Sequence, residues 1–186
     1  MARLLYSVIT SLDGYLTDED GRFDWAVPDE EVIAAINQQM AGISTYLYGR
    51  RMYDTLKVWE TDPSLAEGSP AEAAFAAIWQ RADKVVFSST LASVETRRTE
   101  LRRTFDPQEV AQLKDTSDGD LTIEGPTLAV HAFRAGLVDE VHLLVVPVII
   151  GGGLRVHPDG VRLDLDLLDE RRFGNGMVQL RYAARR

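Results

Sequence analysis

No cysteine occurs among the 186 residues, which removes disulfides, thiolate nucleophiles and every cysteine-containing zinc or iron–sulfur site together. Histidine is almost as scarce. His131, His142 and His157 stand at no spacing that a metal site uses, so no metal is expected and each reads as a packed or surface side chain. Basic residues are outnumbered 20 to 29, for a formal net charge of −9. Without a global positive field, neither nucleic acid nor an anionic membrane is an expected partner, and any phosphate must be held by a local site. No apolar run approaches the ~18 residues of a membrane span. The start, Met1-Ala2-Arg3-Leu4-Leu5-Tyr6, passes into a strand-like run without the long apolar stretch of a signal peptide, and a cytoplasmic protein is the simplest reading. Neither Gly-x-Gly-x-x-Gly nor the P-loop pattern occurs, so the common nucleotide motifs lend no support.

What is present is an ordinary globular composition, 45% apolar and 26% charged, at the length of one domain spanning residues 1–186. Leu4 to Ile9 reads as a buried strand running into the turn Ser11-Leu12-Asp13-Gly14. Pro28 and Asp29 give helix start signals, and Val32, Ile33, Ile36 and Met40 follow at helical spacing. Ser44 to Tyr48 is a strand stopped by Gly49. Ser69-Pro70-Ala71-Glu72 and Asp106-Pro107-Gln108-Glu109 are helix starts with a cap, a proline at the first turn and an acid after it. Lys84 to Ser88 and Leu121 to Glu124 read as strands, Thr127 to Ala135 as a helix ended by Gly136, and Val141 to Ile150 as a strand buried on both faces. The alternation of strand and helix predicts a parallel sheet with helices on both faces. Val161 to Leu165 and Met177 to Tyr182, joined through Gly174-Asn175-Gly176, are expected as antiparallel strands at its edge.

Three strand-to-helix or strand-exit junctions suit phosphate. In an open α/β sheet, ligands bind beyond the carboxyl ends of strands, where helix N-termini present free N–H groups. Gly49-Arg50-Arg51 offers close backbone approach and two guanidinium groups. Ser88-Ser89-Thr90 offers three hydroxyls, and Gly125-Pro126-Thr127-Leu128 opens a helix with a small residue and a hydroxyl. Three such sites at one end of one sheet would suit an elongated ligand with several phosphates.

Several of these runs carry a family resemblance. Ser11-Leu12-Asp13-Gly14, Gly49-Arg50-Arg51-Met52-Tyr53, Gly125-Pro126-Thr127-Leu128-Ala129, Ala135-Gly136-Leu137-Val138-Asp139-Glu140 and Pro147-Val148-Ile149-Ile150-Gly151 resemble the dihydrofolate-reductase-like family, most closely its RibD C-terminal reductase type. The resemblance implies a three-layer αβα fold with a mostly parallel central sheet and antiparallel C-terminal edge strands, an NADPH-dependent reduction of a small polar heterocycle similar to that of the 5-amino-6-(5-phosphoribosylamino)uracil reductase domain of riboflavin biosynthesis, and a homodimer. Dihydrofolate reductase itself and a non-catalytic nucleotide-binding protein on the same fold are the alternatives.

Carried over by position, Gly49, Arg50 and Arg51 are implied to contact cofactor phosphates, and Ser88 and Ser89 the adenosine 2′-phosphate. Gly125, Pro126, Thr127 and Leu128 are implied to cradle the pyrophosphate, and the loop of Asp13 and Gly14 to form a lid. The absence of an acid just after the Lys84 strand independently favours NADPH over NADH. For proton donation, Trp25-Ala26-Val27-Pro28-Asp29-Glu30 resembles the segment that supplies the active-site acid, and Glu30, with Asp29 and Asp13, is the expected catalytic carboxyl; Asp29 and Glu30 also stand where helix caps and dipole partners occur. Two departures stand out. Glu124 precedes Gly125 where the family has a second glycine, placing a carboxylate near the expected pyrophosphate. The zinc deaminase domain fused to some relatives needs a cysteine pair that this chain lacks, so a free-standing reductase is implied.

Overall fold

A computed structural model of the chain describes residues 2–185. Six parallel strands form most of one sheet: β1 (Leu4–Ser11), β3 (Ile43–Gly49), β4 (Asp83–Phe87), β5 (Thr99–Arg102), β6 (Asp120–Glu124) and β7 (Glu140–Val146). With β9 (Leu165–Arg172) and β10 (Val178–Ala184) added antiparallel, the order across the sheet is β5-β4-β3-β6-β1-β7-β10-β9. A second, two-stranded sheet pairs β2 (Tyr15–Thr17) with β8 (Leu154–Arg155).

Period-two alternation divides the core between two layers of helices. Tyr6, Val8, Leu47, Val85, Phe87, Leu121, Ile123 and Val141 face one side, where Val110 of α5 (Pro107–Thr116) and Leu128, Ala129 and Ala132 of α6 (Pro126–Arg134) cover them. Leu5, Tyr46, Tyr48 and Val86 face the other. There they meet Met40 of α1 (Glu30–Met40), Tyr53 of α2 (Arg50–Leu56) and Trp79 of α4 (Pro70–Arg81). A short helix α3 (Val58–Thr61) and a 3₁₀ turn (Pro63–Glu67) link α2 to α4. Fully burying one such side chain stabilises the fold by about 1.5–3 kcal/mol, so the two apolar layers are the main source of stability.

The caps appear where the sequence places them. Asp29 accepts from the Val32 amide, Ser69 from Glu72 and Asp106 from Gln108, each satisfying an otherwise orphaned donor. Three expectations are corrected. The strand expected over Val141–Ile150 stops at Val146, because Pro147 has no N–H to donate to a ladder and Val148 turns back to the Val146 carbonyl (2.8 Å). The edge strand expected over Val161–Leu165 lies instead at Leu165–Arg172. A hairpin register is counted outward from its turn, and β10 pairs Val178 with Arg172 across the Gly174–Gly176 turn. Finally, β2, β5 and β8 are additional; all are short, and β5 holds a charged, half-exposed face.

Candidate active site

The carboxyl ends of β4, β3, β6 and β1 open into a cleft of about 1930 Å³. Gly49, Arg50, Arg51, Ser88, Ser89, Gly125, Pro126, Thr127 and Leu128 all line it, so the three phosphate-compatible junctions lie at one end of the sheet. The helix starts differ in a telling way. Asp29, Ser69 and Asp106 cap α1, α4 and α5 through their side chains, whereas the caps of α2 and α6 are Gly49 and Gly125, which supply no such bond. The first-turn amides of α6 at Thr127 and Leu128 are therefore donors without a capping side chain, at the positive end of a helix dipole and facing the cleft.

Beside them, the exit of β4 is a closed turn. The Ser88 hydroxyl accepts from the Leu91 amide (3.0 Å), and Arg103 Nη1 donates to the carbonyls of Leu91 (2.6 Å) and Ser88 (3.2 Å). Arg50 reaches the same turn through Thr90 Oγ1 (3.1 Å). Arg103 lines the cleft and is a cation that sequence reading missed, because it follows β5, the strand that was not expected. Phe105 and His131, stacked at 5.7 Å with 26° between their planes, close this side.

The three proposed acids sit elsewhere. Asp13 and Gly14 do not line the cleft; residues Leu16, Thr17, Asp18 and Glu19 just after them do. The Asp13 carboxylate accepts from Ser11 Oγ (2.7 Å), Ile150 N (3.2 Å) and Gly151 N (2.8 Å), hydrogen bonds that hold its pKa below the usual carboxylate value, the Ser11 contact foremost. It is a clamp between two loops. Asp29 caps α1, and Glu30 is exposed in the first turn of that helix; neither lines the cleft, and α1 turns Ile33, Ile36, Gln39 and Met40 toward it instead. Both acids lie at the helix start, where caps and dipole partners are placed, rather than on the helix face that packs over the sheet.

Besides Asp18, Glu19, Asp54 and Glu72, the cleft is lined by the carboxyl of Glu124, at the carboxyl end of β6. Leu121 and Ile123 of β6 face α5 and α6, so alternation turns Glu124 to the opposite face, away from the α6 amides and toward Tyr48, its partner in register. Burial raises its pKa to about 8, since the charged form is disfavoured away from water. The expected conflict with a cofactor pyrophosphate is thereby eased by direction, since the carboxyl faces away from the α6 amides. On the same face, His142 of β7 is 2% exposed. Its Nε2 lies 2.7 Å from Glu140 Oε2, while Nδ1 has no partner. Glu140 also holds Arg3, so a carboxylate faces Nε2. The hydrogen is assigned to Nε2, leaving Nδ1 as an acceptor. Desolvation lowers the His142 pKa despite Glu140.

A mostly parallel sheet covered by helices on both faces, with its cleft at the strand carboxyl ends, defines a dihydrofolate-reductase-like fold. The RibD C-terminal domain model matches residues 2–179, and the chain belongs to that family. It is 28% identical over 184 residues to the uncharacterized protein YyaP of Bacillus subtilis, covering 97% of this chain and 94% of that protein. Among solved structures, a Shewanella sp. PV-4 protein named for riboflavin biosynthesis superposes with a TM-score of 0.77 at 22% identity, covering both chains fully. The Thermotoga maritima deaminase/5-amino-6-(5-phosphoribosylamino)uracil reductase matches at TM-score 0.64 and 15% identity, over 99% of this chain but 57% of the larger enzyme.

Proposed function

We propose that this protein is a nicotinamide-dependent reductase of a small heterocyclic metabolite or its ribosyl derivative, with NADPH as the favoured cofactor, acting as a homodimer. The observation that carries the reading is the pair of glycine-capped helix starts on adjacent strands, Gly49 and Gly125, opening into one cleft with Arg50, Arg103 and the Ser88–Thr90 turn beside them. Those donors fit a dinucleotide: the α2 and α6 amides would hold the pyrophosphate, and Ser88, Ser89, Arg50 and Arg103 the 2′-phosphate. The bound nicotinamide would supply the hydride. The chain's own part is to orient the ring, exclude water with its apolar walls, and deliver a proton.

Family membership and the structural likeness to the uracil reductase support the same class. The dihydrofolate reductase alternative loses its main support, because Glu30 stands outside the cleft. Isothermal titration with NADPH and NADH tests the cofactor. Binding tighter than millimolar, about 4 kcal/mol, with NADPH preferred, is expected. Arg50→Ala and Arg103→Ala should each weaken NADPH by about tenfold or more, the worth of one charged hydrogen bond, and NADH by less. Absence of binding by either nucleotide would end the proposal.

A further inference from the structure

The volume of the cleft, about 1930 Å³, exceeds the ~300–1,000 Å³ of ordinary small-molecule sites, and the phosphate-compatible junctions line only part of it. On the face of the sheet opposite α5 and α6, the cleft continues as a slot between α1, α2, α3 and α4. Ile36 and Met40 of α1, Met52 and Leu56 of α2, Trp59 of α3 and Phe75 of α4 line that slot. All but Met40 are only partly buried, although they pack against the buried cluster of Tyr46, Tyr48, Tyr53 and Trp79. Apolar surface left on a cleft wall gains free energy when a ligand covers it. Toward β1 and β7 the wall is closed by its own hydrogen bonds. Gln39 donates to Ser7 Oγ (3.1 Å) and accepts from Gln179 (2.9 Å), and Ser7 is the register partner of His142.

We propose that this slot receives an uncharged aromatic arm of the substrate, and that Trp59 and Phe75 are the residues that select it. The proposal rests on the reductase reading and names the substrate class: a heterocycle joined to an aromatic group rather than to a phosphorylated sugar. Trp59 and Phe75 stand edge to face, with ring centroids 4.9 Å apart and 68° between their planes. Two rings set at such an angle form a corner, and a third ring adds to it through offset or edge contacts. Met40 and Met52 supply thioethers, which pack well against aromatic rings and adapt to their outline. The corner is also fixed in place. Gln80 Nε2 of α4 donates to the Trp59 carbonyl (2.7 Å), and Asn37 Nδ2 of α1 donates to the Ala71 carbonyl of α4 (2.8 Å), so a ligand meets a wall that is already assembled and pays little to order it.

The charges around the slot disfavour a phosphorylated arm. Among the described residues of this wall, one guanidinium, that of the exposed Arg51, stands with two carboxyls, Asp54 of α2 and Glu72 of α4. Arg50, the neighbouring cation, is drawn to Asp54 (3.5 Å) and to Thr90 (3.1 Å). A phosphate in the slot would meet more negative charge than positive, against a surface that is otherwise apolar and cannot replace its hydration. An uncharged ring covers the same surface without that cost.

The test uses three uracils that share one head group: 6-aminouracil, 6-(benzylamino)uracil and 6-(5-phosphoribitylamino)uracil. Each is titrated by calorimetry at neutral pH onto protein saturated with NADPH. The benzyl compound should bind about tenfold or more tighter than 6-aminouracil, the worth of covering one ring's apolar surface, and the phosphoribityl compound no tighter than 6-aminouracil. Trp59→Ala and Phe75→Ala, each checked by thermal melting, should lose most of that gain while binding NADPH and 6-aminouracil within about threefold of wild type. Trp59→Phe, which keeps a ring in place, should retain most of it. In wild type, proton NOEs from the benzyl ring to the Trp59 indole should appear, a check that needs no variant. A benzyl compound that binds no tighter than 6-aminouracil overturns the proposal. So does tighter binding of the phosphoribityl compound, a benzyl gain that survives in both alanine variants, or the absence of those NOEs. If wild type binds no NADPH, the reductase reading falls instead, and the same series titrated onto the free protein still decides the slot.

Discussion

At Gly125 the backbone sits at φ +88°, ψ 120°, a conformation L side chains adopt only with strain. The nearest atom to an added Cβ is Met52 Cβ at 3.8 Å, an ordinary contact, so Gly125→Ala probes conformation rather than space. It should cost about 1–3 kcal/mol in urea unfolding and weaken NADPH as the α6 amides turn. Glu124 predicts a stability that depends on pH. Below the ordinary glutamate range both the folded and unfolded chains hold its proton, and up to about 8 only the folded chain does. Unfolding then releases a proton, so this residue's contribution is lost as pH rises from about 4.5 to about 8. Glu124→Gln should therefore gain on wild type between pH 5 and pH 9 in paired urea titrations; a constant difference would refute it.

The same residues explain what was legible in the sequence. Gly49, Gly125 and the Ser88–Ser89 exit could be placed in advance, because a glycine or hydroxyl at a strand end is specified by local backbone geometry. The acids Asp13, Asp29 and Glu30 could not, because a carboxylate near a turn or helix start is as readily consumed by nearby amides as offered to a ligand. Ser7 and His142 needed the β1–β7 register, which no local pattern encodes. Glu124 needed only its alternation with Ile123.

Among elements, the middle of the loop between β4 and β5 is anchored to α2 by a buried hydroxyl. Tyr53 Oη on α2 accepts from the amides of Glu95 (2.8 Å) and Thr96 (3.2 Å) and lies 3.1 Å from Thr96 Oγ1. Tyr53→Phe leaves those amides without that acceptor and should cost about 1–3 kcal/mol. Hydrogen exchange should rise at Glu95 and Thr96, and NADPH binding should weaken through the displaced Ser88–Leu91 turn. Unchanged exchange at these amides would dismiss the anchor. Helices α1, α4, α5 and α6 were readable because each carries its own start signal. The extents of β7 and β9 were not, since Pro147 ends one and the hairpin turn sets the other, while β5 is too short and charged to carry a pattern.

At the scale of the molecule, β9 is an edge strand that exposes Leu167 and Leu168. The charged residues Asp166, Asp169, Glu170, Arg171 and Arg172 blunt most of this edge, and the proposed homodimer would use the apolar pair Leu167 and Leu168 between them. Light scattering should give twice the 20.7 kDa chain mass, and Leu168→Glu should return it to one; a wild-type monomer would remove the dimer from the proposal. No helix among the described residues is long and apolar enough to cross a membrane.

The placement of the indoles makes the protein its own optical instrument. Trp79 is sealed beneath the sheet, its Nε1 donating to Tyr48 and Lys84 Nζ 4.2 Å from its ring, while Trp59 stands on the cleft wall against Phe75. A reduced nicotinamide in the cleft would draw excitation energy from Trp59 by resonance transfer. Transfer of that kind spans a domain of this size, so Trp25 and Trp79 would dim with Trp59, while the wavelength of the buried Trp79 shifts only when the sheet comes apart; intensity then follows ligand occupancy and wavelength follows unfolding in one unlabelled sample.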